Sequence, residues 1–253
     1  MTITSTRSMG TTLAALTAAL AVASQSGARA GAATPPALPQ GSETVTLNPA
    51  DFTTKIDNPY WPMKPGTRWV YRETGPDGTR QRVVVTVTSR TKRIANGITA
   101  RVVTDVVTAG GKPVEVTDDW YAQDKAGNVW YLGERTKEYE NGRFKSTSGS
   151  FEAGVDGAQP GIAMPANPAP GMTYRQEYYK GEAEDKGVIF SLGEQAQVPL
   201  RHFADVVMTK DTNPLKPKVL EYKFYARGVG PVLAIGVSGG SDREELVSFK
   251  RGR

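Results

Sequence analysis

From Thr67 onward the chain alternates with a period of two. Val83, Val85 and Val87 are interleaved with Val84, Thr86 and Thr88, and Leu220, Tyr222 and Phe224 with Val219, Glu221, Lys223 and Tyr225. Successive side chains of a strand point to opposite faces, so this period predicts strands that turn one face to a core. Such runs fall near 67–74, 80–90, 98–108, 113–123, 128–133, 135–140, 143–148, 172–180, 187–198, 203–210, 218–227, 230–238 and 244–250. Between them stand Pro76-Asp77-Gly78, Asn96-Gly97, Gly110-Gly111, Ala126-Gly127-Asn128 and Asn141-Gly142. Asn-Gly and Asp-Gly favour the positive φ values of tight hairpins, so sequential strands are expected to pair antiparallel. The predicted fold is mostly β: an antiparallel meander curled into a barrel or half-barrel, which manages its edges by closing.

Two segments depart from this rhythm. Asn48-Pro49-Ala50-Asp51 offers an N-cap, a proline at the first helical position and an acid in the first turn, and Phe52 and Ile56 follow four apart. These features predict one short N-terminal helix with its apolar side on the sheet. Residues 149–171 are rich in Gly and Pro with little alternation, which predicts a long functional or mobile loop. Within it, Glu152-Ala153-Gly154-Val155-Asp156-Gly157 places two acids on a Gly-rich stretch. No linker-like run separates the two halves, so 48–253 is expected to be a single β domain.

Before that domain, Arg7 precedes the small and apolar run Thr11–Ser24, and Ala28-Arg29-Ala30 supplies small residues for signal peptidase. That run suits a secretory leader and is too short to span a bilayer. Residues 1–30 are therefore expected to be a signal peptide cut after Ala30, and the Ala/Pro/Gly-rich 31–47 a flexible leader to the domain. The expected locale is the periplasm, the cell wall or the extracellular space, with no integral membrane segment in the mature chain. There is no Cys, which excludes disulfides, thiolate metal sites, Cys nucleophiles and a lipid-modified cysteine. Loss of Arg7 and Arg29 lowers 31 basic residues to 29 against 26 acidic ones. The signs are interspersed and no basic run carries interleaved aromatics, so no nucleic-acid partner is expected.

Candidate chemistry is sparse. Tyr60, Trp61, Trp69 and Tyr71 cluster early, and Trp120-Tyr121 and Trp130-Tyr131 flank a predicted hairpin on which the two pairs would meet as cross-strand neighbours. These aromatics suit core packing or a ligand groove. His202 is the only histidine; in strand phase, Asp205 falls on the opposite face, and no G-x-S-x-G elbow supplies a nucleophile. Glu177, Glu182, Glu184 and Asp185 form one acidic group and Asp118, Asp119, Asp124 and Glu134 a looser one. Paired acids suit glycoside hydrolysis or calcium, but the interleaved Lys125, Lys180 and Lys186 suggest solvated loops, and no calcium-loop motif is present. The ligand-binding candidates are Trp69, Tyr71, Trp120, Trp130, Asp156, Glu177 and His202. No catalytic residue, metal or cofactor is assigned.

Three stretches carry a resemblance: Trp61-Pro62-Met63-Lys64-Pro65-Gly66-Thr67-Arg68-Trp69-Val70-Tyr71; Val198-Pro199-Leu200 with Phe203-Ala204-Asp205-Val206; and Glu221-Tyr222-Lys223-Phe224-Tyr225-Ala226-Arg227-Gly228-Val229-Gly230-Pro231-Val232. They resemble an uncharacterised family of exported bacterial β-rich proteins and, in style of fold, the half-barrel periplasmic lipoprotein carriers. The resemblance brings no catalytic residues. In the third stretch, Leu220, Tyr222 and Phe224 are expected on a buried face, Glu221 and Lys223 outside, with the hairpin through Arg227–Pro231 closing the sheet. The reading is a non-catalytic exported envelope protein that binds an apolar small molecule, a lipid or an envelope protein on a β surface. A secreted hydrolase using acidic residues, including Asp156 and Glu177, and a purely structural cell-surface protein are the alternatives.

Overall fold

The computed structural model describes residues 37–253; the expected signal peptide and residues 31–36 lie outside them. Among the described residues there are sixteen strands. They are β1 Phe52–Thr53, β2 Arg68–Thr74, β3 Arg80–Arg93, β4 Thr99–Ala109, β5 Lys112–Asp124, β6 Val129–Glu140, β7 Arg143–Ser146 and β8 Phe151–Glu152. Next come β9 Gln159–Met164, β10 Thr173–Arg175, β11 Glu177–Tyr178, β12 Lys186–Gln197, β13 His202–Thr212, β14 Leu220–Ala226, β15 Gly230–Ser238 and β16 Arg243–Lys250. All pair antiparallel; thirteen follow the order β10-β12-β13-β14-β15-β16-β2-β3-β4-β5-β6-β9-β11, while β1 pairs with β5 and both β7 and β8 pair with β6.

The two ends of that order are neighbours in the chain. β10 and β11 are separated only by Gln176, so the stretch Thr173–Tyr178 pairs with β12 on one side and β9 on the other. This makes a nearly closed barrel, and the break at Gln176 is the seam. Closing it brings backbones unusually near: a Cβ on Gly161 of β9 would stand 2.2 Å from the Gln176 carbonyl oxygen. Arg175, 1% exposed, pins the seam. Its Nε donates to the Pro160 carbonyl at 2.9 Å and its Nη1 to the carbonyls of Gly41 and Glu43. Residues 37–47 are thereby held as a strap over the seam, with Leu38, Val45 and Leu47 packed on the core. The hairpin β14–β15 lies inside the sheet order, so it is not the closing element.

The expected N-terminal helix does not form. Asn48 does cap, accepting from the Ala50 amide, but the turn is a single 3-10 turn over Pro49–Asp51. No α-helix occurs among the described residues. Phe52 is already extended and pairs with Asp124 of β5, its ring edge-on to Trp130 at 6.0 Å. One capped turn gains too few hydrogen bonds to propagate, whereas a strand pairing with aromatic burial is available at once. No described helix is long and apolar enough to cross a membrane.

The segment 149–171 is also more ordered than its composition suggests. β8 pairs with β6 at Gly133, and β9 pairs with β6 at Val129, Trp130 and Tyr131. The register of β14 is opposite to that expected. Lys223 and Tyr225 face the barrel interior, while Tyr222 stacks outside on Phe190, itself 50% exposed, at 5.4 Å. Apolar-in alternation fails here because the lumen admits Lys223 and carboxyls among its aromatic rings, while the outer surface retains apolar rings.

Candidate functional site

The barrel holds a cavity of about 380 Å³ that opens to solvent. Six aromatic side chains line it: Trp61, Trp69, Tyr71, Tyr121, Tyr131 and Tyr225. So do six carboxyls, Asp105, Asp119, Glu134, Glu177, Asp185 and Glu244, against a single cation, Lys223. Strand alternation supplies most of this: Trp69 and Tyr71 from β2, Val103 and Asp105 from β4, Asp119 and Tyr121 from β5 are each two apart.

One bulge alters the phase. Asp119 pairs with Glu134 and Tyr121 with Tyr131, so β6 spends one residue more than β5 between those pairs. The extra residue falls at Leu132–Gly133, where Gly133 takes φ 130° and a Cβ would meet the Phe151 carbonyl oxygen at 2.3 Å. Without the bulge Tyr131 and Glu134 would face opposite sides; with it both enter the lumen. The Tyr131 hydroxyl then lies 2.8 Å from Asp119 Oδ1 and 2.7 Å from Glu134 Oε2.

The floor is the loop Ile56–Met63. The Met63 amide donates to the Ile56 carbonyl at 3.0 Å. Gln123 Oε1 accepts from the Asp57 and Asn58 amides at 2.9 Å each, and Asn58 Nδ2 reaches the carbonyls of Gly127 and Pro165 at 3.0 and 3.1 Å. So held, Trp61 projects between Tyr121 and Tyr225, with ring centroids 5.7 and 5.6 Å away.

Asp105, Asp119, Glu134, Glu177 and Glu244 are crowded and shielded from water, which favours their neutral forms. Burial, reinforced by Glu115, Glu73 and Glu134, pushes Asp105 up to about 7. Glu244 rises to about 8 by burial, with Asp105 and Glu73 adding to it. Asp119 is held well above the usual range by burial and then by Glu134. Burial and the hydrogen-bonded Asp185 do the same for Glu177. Lys223 is different. Burial alone would lower it, but Asp211 and Glu221, each 3.1 Å away, overcome that and keep it firmly charged. Its charge is therefore already compensated.

Of the residues singled out from sequence, Trp69, Tyr71 and Glu177 converge on this cavity. Trp69 also donates from Nε1 to the Val229 carbonyl at 2.8 Å and the Tyr71 hydroxyl to that of Pro231 at 3.0 Å. Trp120 and Trp130 lie within the core; Lys92 covers the Trp120 ring at 4.4 Å, and Trp130 Nε1 donates to Asp124 at 2.8 Å. Only the tyrosines of the two Trp-Tyr pairs stand directly opposite each other: the strands run antiparallel, so with Tyr121 facing Tyr131 it is Ala122, not Trp120, that faces Trp130. Asp156 is exposed in a turn at φ 49°. His202 is exposed and 3.0 Å from Gln195 Oε1, in a separate surface depression. The acids expected on solvated loops divide: Asp119, Glu134, Glu177 and Asp185 enter the lumen, whereas Glu182 is exposed.

Asp105, Glu244 and Lys223 were missed. Asp105 had a readable signal, since it shares a strand phase with Val103 and Val107. A carboxylate on an apolar face is either paired or functional. No group of three or more His, Asp or Glu arranged to hold a metal ion occurs among the described residues.

No family model and no curated protein matches this sequence. A solved structure from Parabacteroides distasonis, described as that of a candidate lipoprotein, is similar over 76% of this chain and 98% of its own, at 14% identity and a TM-score of 0.41. That likeness is too remote to carry a function across.

Proposed function

We propose that this protein is an exported binding protein whose barrel lumen takes a small organic cation with an apolar body. The observation that carries the reading is the pairing, in one cavity, of six aromatic rings with six carboxyls and one already-neutralised lysine. Ring faces attract a cation and carboxyls compensate its charge, and the attraction strengthens as water is excluded. A purely apolar ligand would leave the carboxyls without partners. The expected leader peptide supports placement outside the cytoplasm. In a fluorescence titration of the mature chain, benzyltrimethylammonium should bind at one saturable site, and benzyl alcohol at least tenfold more weakly. Tyr121→Ala and Glu177→Gln should each weaken the cation at least tenfold. Equal affinity for both compounds would leave only an apolar pocket.

The Glu177–Asp185 contact favours a second reading, acid-assisted hydrolysis. A buried carboxyl that keeps its proton near neutrality can serve as a general acid. Native mass spectrometry of protein from its own host, followed by re-incubation of the released ligand, separates the two. An unchanged ligand mass supports binding; a hydrolysed product absent with Glu177→Gln supports catalysis.

A further inference from the structure

Beneath the loop Ile56–Met63 lies a second cavity, of about 690 Å³, and its chemistry is the inverse of the first. Met63 lines both, so the two cavities adjoin at that side chain. Five basic residues border it: Lys55, Lys64, Arg101, Arg227 and Arg251. The sole acid is Asp57, already paired with Lys55 at 3.0 Å. Among the described residues, Lys64, Arg101, Arg227 and Arg251 have no carboxylate within ion-pair distance.

The guanidinium groups are fixed by neutral partners. Arg101 Nη1 donates to the Ser89 carbonyl at 2.9 Å, while its Nε is buried with no partner. Arg251 Nη2 donates to the Gly228 carbonyl at 2.7 Å, and Arg227 lies over the Tyr60 ring at 4.7 Å with its Nη2 on the Tyr60 hydroxyl. The first of these contacts brings Arg251 beside Arg227, since Gly228 is its chain neighbour. The remaining walls are apolar: Ile56, Pro59, Pro62, Met63, Pro65 and Phe249. Arg101 is half-buried, while Arg227 and Arg251 are exposed; cations gathered at one cavity without counter-charges attract an anion, and guanidinium forks match phosphate and carboxylate oxygens.

We propose that this lower chamber binds an anionic amphiphile, its phosphate or carboxylate head held by Arg101, Arg227 and Arg251 and its hydrocarbon part lying along Pro62, Met63 and Phe249. The site is independent of the lumen above it.

Calorimetric titration of the mature chain with monomeric decyl phosphate, inorganic phosphate and decanol tests this. Decyl phosphate should bind one to one, at least tenfold more tightly than either inorganic phosphate or decanol. Arg101→Met and Arg251→Met should each weaken it at least tenfold, and the exposed Arg80→Met should leave it unchanged. Arg251 sits on the C-terminal tail, so its variant keeps the test valid if Arg101→Met fails to fold. Absence of saturable binding, Arg251→Met binding as tightly as the unaltered chain, or inorganic phosphate binding as tightly as decyl phosphate would overturn the proposal.

Discussion

Tyr121 and Tyr131 stand directly opposite each other on β5 and β6, their rings stacked 5.0 Å apart with planes inclined by 27°. The Tyr131 hydroxyl touches both Asp119 and Glu134. One phenol carries one proton and can donate to only one of them. The second contact is a hydrogen bond only if that carboxyl is itself protonated and donates to the phenol oxygen. The three groups therefore share at least one proton beyond the phenol's own, in agreement with the raised position of Asp119.

Tyr131→Phe removes this junction while preserving the ring stack. Two carboxyls lose a partner, and a buried polar group left unsatisfied costs about 1–3 kcal/mol. Urea unfolding at pH 7 should show a loss in that range. A neutral substitution would mean that water already satisfies both acids.

Stability should depend on pH through Asp105 and Glu244. The folded protein holds these protons up to about pH 7 and about pH 8, while the unfolded chain releases them near their ordinary values of 3.8 and 4.5. Unfolding sheds protons between those limits, so the stabilisation is fully present below about pH 4 and is lost as pH rises through 7 and 8. The ligand-free melting temperature should fall from pH 5 to pH 8.5, and Asp105→Asn and Glu244→Gln should each flatten the slope. One pKa unit is about 1.4 kcal/mol, or roughly 3 °C for a chain of this size. A melting temperature that rises over this interval would contradict the account.

Gly161→Ala tests the seam. The added Cβ would lie 2.2 Å from the Gln176 carbonyl oxygen, and backbone on both sides leaves nothing flexible to yield. Overpacking of this kind costs about 1–3 kcal/mol. Guanidinium unfolding should show a loss of at least that size, whereas an unchanged midpoint would place the closing stretch elsewhere.

Lys223→Ala bears on the inverted register of β14. Asp211, 6% exposed, loses its cation and keeps only Gln176 Nε2, 3.0 Å from Oδ2. A loss of about 1–3 kcal/mol in urea is expected, against the half kilocalorie or so typical of an exposed lysine.

The architecture was largely legible because hairpin turn chemistry and two-residue alternation are local. The strand expected at 80–90, found over Arg80–Arg93, the Asn96-Gly97 turn and the meeting of the two Trp-Tyr pairs across a hairpin all follow from neighbours in sequence. The polarity of the lumen was not legible. Alternation tells which residues share a face but not which face is inside, and for β14 the apolar face proved to be the outer one. The convergence of Asp119, Glu134 and Glu177 also escaped, because it depends on a bulge at Gly133 and on the seam at Gln176.

On the proposed function, an organic cation entering the lumen displaces protons from its carboxyls. Calorimetric titration with benzyltrimethylammonium at pH 7, repeated in Tris and in PIPES, measures this directly, since the two buffers differ in ionisation enthalpy. Asp105 at about 7 and Glu244 at about 8 are partly or largely protonated there, and an adjacent positive charge ionises them. The predicted result is one-site binding whose apparent enthalpy differs between buffers by a net release of protons, diminished with Glu244→Gln. Binding with the same enthalpy in both buffers, or no binding at all, would contradict it.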